Sequence, residues 1–349
     1  MKINLEKFRE RDKYINCQKH NTLDLLIWNY NHFCQFDKVW DEYTEMARGL
    51  ITDLEGNIVA RSFKKFFNLN EREETRMENL PLDEPKIVEK YDGSLGIQYY
   101  DGDKVCISTR GSFNSEQAIW ATEWMKHFAK ENFKEGYTYL YEIIYPENRI
   151  VIDYGNRKEL VLLAVKNIET GEEIDFVSEA KRLGLRYPKI IDCSNENIIM
   201  KRSKLSGNEE GFVLNFKNLK VKMKGDEYVR LHRLITGFST KSIWECLKNN
   251  QDLENILKDI PDEFYNWVKE KEKELKNEFN SIKKSALESY EEIKDLPTRK
   301  EQALKVLRDY KKISAEIFAL LDGKDYEQVI WKKIKPEYEL PFKKDINNS

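Results

Sequence analysis

Along the first two-thirds of the chain, apolar residues recur in short runs separated by turn-forming residues. Residues 49–62 are broken by Asp53-Leu54-Glu55-Gly56-Asn57, which reads as a hairpin turn. Residues 97–100 and 105–108 flank Asp101-Gly102, a second hairpin. Residues 115–132 read as a helix, with Asn114 as its cap and Gly136 just beyond its end. Strands are expected at 137–145, 150–154 and 160–167, a turn at Thr170-Gly171, a short helix at 177–183 and a hairpin of 212–216 with 219–223. Strands outnumber helices and do not alternate with them regularly, so an antiparallel α+β domain is expected rather than a doubly wound sheet. After about Thr236 the pattern changes. Phe264, Trp267, Val268, Lys271, Leu275, Phe279 and Ile282 recur at three- and four-residue steps until Leu296-Pro297. Leu304, Val306, Leu307, Ile313, Ile317, Leu320 and Leu321 form a second helical face before Gly323, and 326–334 a third helix. The expected division is therefore 1–236, strand-rich, and 237–349, all-helical.

Composition narrows the class. The 349 residues carry 59 Lys and Arg against 62 Asp and Glu, a net charge of −3, so any nucleic-acid contact must rest on a local patch. Hydrophobic residues reach 40%, enough for a real core. No run approaches the roughly 18 apolar residues of a membrane span, and residues 1–6 lack the apolar segment of a secretory signal. Cys17, Cys34, Cys106, Cys193 and Cys246 are odd in number and widely spread, which fits a reducing cytoplasm. His20, His32, His127 and His232 lack metal-ligand spacing.

Three local patterns carry chemistry. Lys90-Tyr91-Asp92-Gly93 puts a lysine after the strand-like 87–89 and before a turn; alone, the string is a weak signal that also suits a surface lysine. In Lys220-Val221-Lys222-Met223-Lys224, strand alternation turns the lysines to one face and Val221 and Met223 to the core. Such a row repels itself unless an anion neutralises it, although lysines also protect solvated edge strands. Finally, Glu142 lies inside the apolar 141–144 and Glu210 opens the run Glu210-Gly211-Phe212-Val213. A carboxylate in an apolar strand is costly unless paired, and carboxylates near phosphates commonly hold Mg²⁺.

Taken in order, K-x-D-G, the strand glutamate, E-G-F-V and K-x-K resemble motifs I, III, IV and V of the covalent nucleotidyltransferases. Ala47-Arg48-Gly49-Leu50, Lys65-Phe66-Phe67-Asn68-Leu69-Asn70-Glu71, Ser115-Glu116-Gln117-Ala118 and Pro146-Glu147-Asn148-Arg149-Ile150-Val151 look like the RNA ligase 1 family of bacteriophages. Tyr228-Val229-Arg230-Leu231-His232 resembles the segment after motif V, so the likeness covers roughly residues 20–235.

The resemblance implies an ATP-grasp-like adenylyltransferase domain over 1–236 and a helical domain over 237–349 that can contribute to tRNA recognition. It implies that Lys90 takes AMP from ATP, passes it to an RNA 5′-phosphate, and that a 3′-hydroxyl then displaces AMP. Lys222, Lys224 and Mg²⁺ would favour the neutral form of Lys90. Glu142 would meet the adenosine ribose or a metal-bound water, and Glu210 the Mg²⁺. Arg48 and Lys65 would orient the outgoing phosphates. Asp92 would support the lysine loop and metal shell, and Gly93 its close turn. Arg110 replaces a lysine common in the family, and Tyr228 matches the segment after motif V. Trp28-Asn29-Tyr30 resembles a Tyr-Asn-Tyr segment. RNA with 5′-phosphate and 3′-hydroxyl ends, plausibly a cleaved tRNA, is the implied substrate, and a polynucleotide kinase/phosphatase the implied functional partner. Two alternatives stand beside this reading: a DNA-joining member of the superfamily and an inactive RNA-binding relative.

Overall fold

A computed structural model describes residues 2–192, 195–257, 262–339 and 341. Cys193 lies outside the described residues. Among the described residues fourteen strands follow in chain order: β1 (Ile15–Lys19), β2 (Leu25–Tyr30), β3 (Arg48–Asp53), β4 (Ile58–Ala60), β5 (Phe67–Asn68), β6 (Lys86–Lys90), β7 (Ser94–Asp101), β8 (Lys104–Ser108), β9 (Tyr137–Ile144), β10 (Glu159–Asn167), β11 (Glu173–Ile174), β12 (Ile190–Ile191), β13 (Gly211–Asn215) and β14 (Lys220–Lys224). They form three sheets, ordered β1-β2-β3-β4, β11-β10-β9-β7-β8 and β12-β6-β13-β14-β5. Within them all pairings are antiparallel except β5 with β14. The expected α+β class and the hairpins at Asp53–Asn57, Asp101-Gly102 and 211–224 are present.

Two-residue alternation sets what each strand buries. On β9, Tyr139, Tyr141 and Ile143 enter one core, with Ile107, Leu160 and Leu162. Leu140 enters another, with Ile27, Ile51 and Ile97. Glu142 shares the Leu140 face. On β14, Val221 and Met223 are buried with Phe212 and Leu214, which turns the three lysines to the opposite face.

Two expectations here are corrected. The helix expected over 115–132 runs only Glu116–Trp124, and its cap is Ser115, whose Oγ accepts the Ala118 N–H at 3.2 Å. Two short 3₁₀ turns follow, carrying Phe128 and Phe133 toward Tyr139, with Phe133 and Tyr139 edge to face at 5.0 Å. Residues 150–154 are not a strand. The N–H groups of Val151 and Ile152 go instead to the Asp92 carboxylate, at 2.8 and 3.0 Å.

The chain divides into two compact units, Met1–Arg230 and Leu231–Ser349, against the division expected after residue 236. The second is helical where described. Its long helix, Asp262–Ile293, buries Phe264, Val268, Leu275 and Phe279, and Phe279 stacks on Trp331 at 4.5 Å. The expected second face is two helices, Arg299–Asp309 and Ser314–Leu321. Val306 and Ile317 are buried with Ile293, but Leu304 and Leu307 lie around the helix from Val306 and are exposed. No helix among the described residues is long and apolar enough to cross a membrane.

Candidate active site

Within the first unit lies a cavity of about 880 Å³, lined in part by Arg48, Lys90, Arg110, Glu142, Lys222 and Lys224. Strand pairing brings the lysines together. Lys90 at the end of β6 is in register with Gly211 on β13, which is in register with Lys224 on β14. Gly211 leaves the row between the two lysines open. Its φ is +142°, and a Cβ there would lie 2.1 Å from the Met223 carbonyl oxygen.

Glu210, one residue before Gly211, joins the ends of this row. Its Oε2 accepts from Lys90 Nζ at 2.7 Å and its Oε1 pairs with Lys224 Nζ at 3.0 Å, while its side chain is 2% exposed. Burial alone would raise the carboxyl, but Lys90 and Lys224 hold it below the usual range. The same arrangement corrects the expectation for Lys90. Burial favours the neutral amine, yet Glu210, Glu142 and Asp92 outweigh it and hold the ammonium above its ordinary range. The nucleophile candidate is thus charged in the unliganded protein. The charge depression instead falls on Lys222. Burial and then the cations Lys65, Arg48, Lys90 and Lys224 hold it well below an ordinary lysine.

Glu142 faces Lys90 from β9. Burial pushes its carboxyl up to about 7, Lys90 opposing. Its Oε1 accepts the Gly93 N–H at 3.0 Å, and a Cβ on Gly93 would come within 2.6 Å of the Ile143 carbonyl oxygen, so this turn requires glycine. Asp92 points away from the cavity. Besides the two N–H groups from Val151 and Ile152, its carboxylate accepts the Tyr228 hydroxyl at 2.8 Å, and its own N–H donates to Tyr154 Oη at 2.8 Å. Its carboxylate thus ties the loop after Lys90 to residues 151–152 and to Tyr228.

Arg48 opens β3 and lies by the Phe66 ring at 5.4 Å; burial lowers its pKa, and its Nη1 is buried without a hydrogen-bond partner. Arg110 Nη1 donates to Tyr30 Oη at 2.8 Å. Lys65 does not line the cavity. Its ammonium sits among the rings of Tyr30, Trp40 and Phe67, at 5.4, 4.9 and 5.2 Å. Sequence reasoning singled out Tyr30 only as part of a segment and missed Tyr154, whose ring stacks on Tyr91 at 5.5 Å. The text Pro146–Val151 was the available signal, since it immediately precedes that clamp. Among the described residues no group of three or more His, Cys, Asp or Glu side chains is arranged to hold a metal ion.

The model of the RNA ligase family matches residues 46–228, which spans Arg48, Lys65, Lys90, Asp92, Arg110, Glu142, Glu210, Lys222, Lys224 and Tyr228. The chain is 25% identical to an RNA ligase of Rhodothermus phage RM378, over 90% of this chain and 88% of that one. It is 27% identical to a Thermovibrio ammonificans protein named for the same activity, over 90% and 87%. Among solved structures, an ATP-dependent DNA ligase assignment from Aquifex aeolicus is similar at 14% identity and a TM-score of 0.45, covering 92% of this chain and 99% of that one. A Naegleria gruberi RNA ligase with ATP and Mn is similar at 15% identity and a TM-score of 0.41, covering 67% and 84%. With more than half its length matched by the family model, the chain belongs to the RNA ligase family of the T4 RNA ligase 1 type and is an ATP-dependent RNA ligase.

Proposed function

We propose that this ligase seals RNA carrying 5′-phosphate and 3′-hydroxyl ends through a lysyl-AMP intermediate on Lys90. The observation that carries the reading is the Lys90–Glu210–Lys224 row, with Glu210 buried between two half-buried lysines, beside Arg48 and Lys222 in a cavity of about 880 Å³. Four clustered basic groups ask for a polyanion, which would also restore the charge of Lys222, and one of them, Lys90, ends beside two carboxylates that can govern its proton.

In the first step the neutral Lys90 amine attacks the α-phosphorus of ATP. The P–N bond forms as the bond to the β-phosphate oxygen breaks, and pyrophosphate leaves with the electron pair. Lys222, Lys224 and Arg48 stabilise that developing charge, and Arg110 adds to the same field. Lys90 must first lose its proton, and the Glu210 carboxylate hydrogen-bonded to it is the acceptor in place to take that proton. In the second step the RNA 5′-phosphate displaces Lys90 from AMP, and in the third a 3′-hydroxyl displaces AMP to give the phosphodiester.

The residues fit a divalent cation only in one form. Without a cluster of three ligands, a hard ion such as Mg²⁺ would be held by Glu210, with Glu142 directly or through water, and by ligand phosphates. Such a cation, when bound, neutralises the polyphosphate and competes with Lys90 for Glu210.

A cleaved tRNA is the substrate we favour, with the helical Leu231–Ser349 unit adding specificity, in the cytoplasm of a bacterial or phage-infected cell. Support for a kinase partner that prepares 5′ ends comes from a nucleopolyhedrovirus relative of Autographa californica. It is named as a bifunctional polynucleotide kinase/RNA ligase and is 30% identical over 64% of this chain and 35% of that one. The test is a sealing assay on matched RNA and DNA strands, with Lys90→Ala beside the wild type. Wild type should join RNA with ATP, whereas Lys90→Ala should join only RNA that is already adenylylated. Joining of DNA alone would favour the DNA-joining reading. RNA binding without turnover would favour an inactive relative.

A further inference from the structure

The stretch Lys65-Phe66-Phe67-Asn68-Leu69-Asn70-Glu71 is the most specific text in the chain, and the chemistry above uses none of it. Its second half forms a small device beside Lys222. β5 pairs in parallel with β14, with Asn68 in register with Lys222, and the Leu69 N–H donates to the Lys222 carbonyl oxygen at 2.8 Å. Register partners in adjacent strands lie about 4.8 Å apart and present their side chains to the same face.

Glu71 then fixes the Asn68 amide. Its Oε2 accepts the Asn68 backbone N–H at 2.7 Å and the Asn68 side-chain Nδ2 at 2.5 Å. An ionised carboxylate can only accept, so the amide atom against it must be the nitrogen, which settles which way the amide points. Asn68 Oδ1 is left buried with no hydrogen-bond partner. Such an orphan acceptor is costly unless a donor arrives. An incoming phosphate brings no donor and would be repelled. On the neighbouring strand, Lys222 has a nitrogen that makes no hydrogen bond or ion pair among the described residues and rests 4.9 Å from the centre of the Phe66 ring.

We infer that Asn68, held by Glu71, is the positioning residue for Lys222: Asn68 Oδ1 accepts a hydrogen bond from Lys222 Nζ when the cavity fills, so that the remaining N–H donors face the polyphosphate. Asn68 does not itself line the cavity, so it acts through Lys222. This rests on the ligase reading. The glutamate three residues after the asparagine thereby acquires a reason: it sets the amide orientation.

The test measures the rate of lysyl-AMP formation at saturating ATP, together with the melting temperature. Asn68→Ala removes the acceptor and Glu71→Ala unpins it. Each should slow lysyl-AMP formation by at least about tenfold. Asn68→Asp alone faces the Glu71 carboxylate and should also be slow. The pair Asn68→Asp with Glu71→Gln restores one donor facing one acceptor and keeps the outward oxygen, so the rate should recover. A purely structural role would not produce recovery of rate in the pair at an unchanged melting temperature. Single variants that match the wild type overturn the inference, as does a pair no faster than Asn68→Ala while melting normally. A wild type that forms no lysyl-AMP would refute the ligase reading itself, and this inference with it.

Discussion

Tyr228→Phe isolates the clamp behind the lysine loop. The substitution removes one oxygen from a side chain that is 2% exposed and leaves its ring packing in place. That oxygen donates to Asp92 Oδ1 at 2.8 Å, while Asp92 Oδ2 keeps the Val151 and Ile152 N–H groups. Asp92 is 5% exposed, so water cannot readily replace the lost donor. A hydrogen bond to a charged group contributes about 1.5–3 kcal/mol. At about 1.4 kcal/mol per factor of ten, the folded-to-unfolded ratio should fall by about 10- to 150-fold. Urea unfolding followed through the transition of the Met1–Arg230 unit would read this as a lower midpoint at unchanged slope. Since Asp92 and Gly93 directly follow Lys90, lysyl-AMP formation should slow as well. An unfolding free energy within about 0.5 kcal/mol of wild type and an unchanged adenylylation rate would refute this hydrogen-bonded support of the loop.

Three other outcomes follow from the geometry. Glu142→Gln should change how stability depends on pH. The wild-type carboxyl is raised from 4.5 to about 7, so the folded state binds the proton more tightly than the unfolded chain, and wild-type stability falls as pH rises from 4.5 through 7. The variant lacks that fall, so the difference between the two should grow in the variant's favour across this window, by at most about 3 kcal/mol, in urea titrations at several pH values. Gly211→Ala should lower the melting temperature by several degrees or prevent folding of the first unit, because the clash is with the backbone of Met223 and Lys224. Removal of divalent cations by a chelator should abolish lysyl-AMP formation, with restoration by added Mg²⁺; formation unaffected by the chelator would remove Glu210 from its assigned role.

How far the sequence carried can be judged from particular residues. Alternation alone placed Lys222 and Lys224 on one face and Val221 and Met223 in the core, because a strand offers only two directions. The ordered motifs anticipated that Lys90, Glu142, Glu210 and the lysines of β14 would gather. They did not reveal which charge Lys90 carries, because this depends on Glu210 bridging Lys90 and Lys224, a contact across 120 positions in sequence. Residues 150–154 look like a strand because Val151 and Ile152 are apolar and buried. Their N–H groups are claimed by Asp92, which no local pattern could show. The helix cap moved by one residue, from Asn114 to Ser115, since both residue types cap well and it is the Ser115 Oγ that meets the Ala118 N–H. Leu304 and Leu307 are expected on one helical face with Val306, yet successive and near-successive residues point in different directions around a helix, and only Val306 is buried.

The central claim is covalent attachment of AMP to Lys90. Incubation with α-labelled ATP and a divalent cation, followed by a denaturing gel, tests it most directly, with Lys90→Ala as the control. The account predicts a labelled protein band that is acid-labile, discharged by pyrophosphate and absent from Lys90→Ala. Folded wild-type protein, first cleared of bound AMP by pyrophosphate, that takes no label would contradict it.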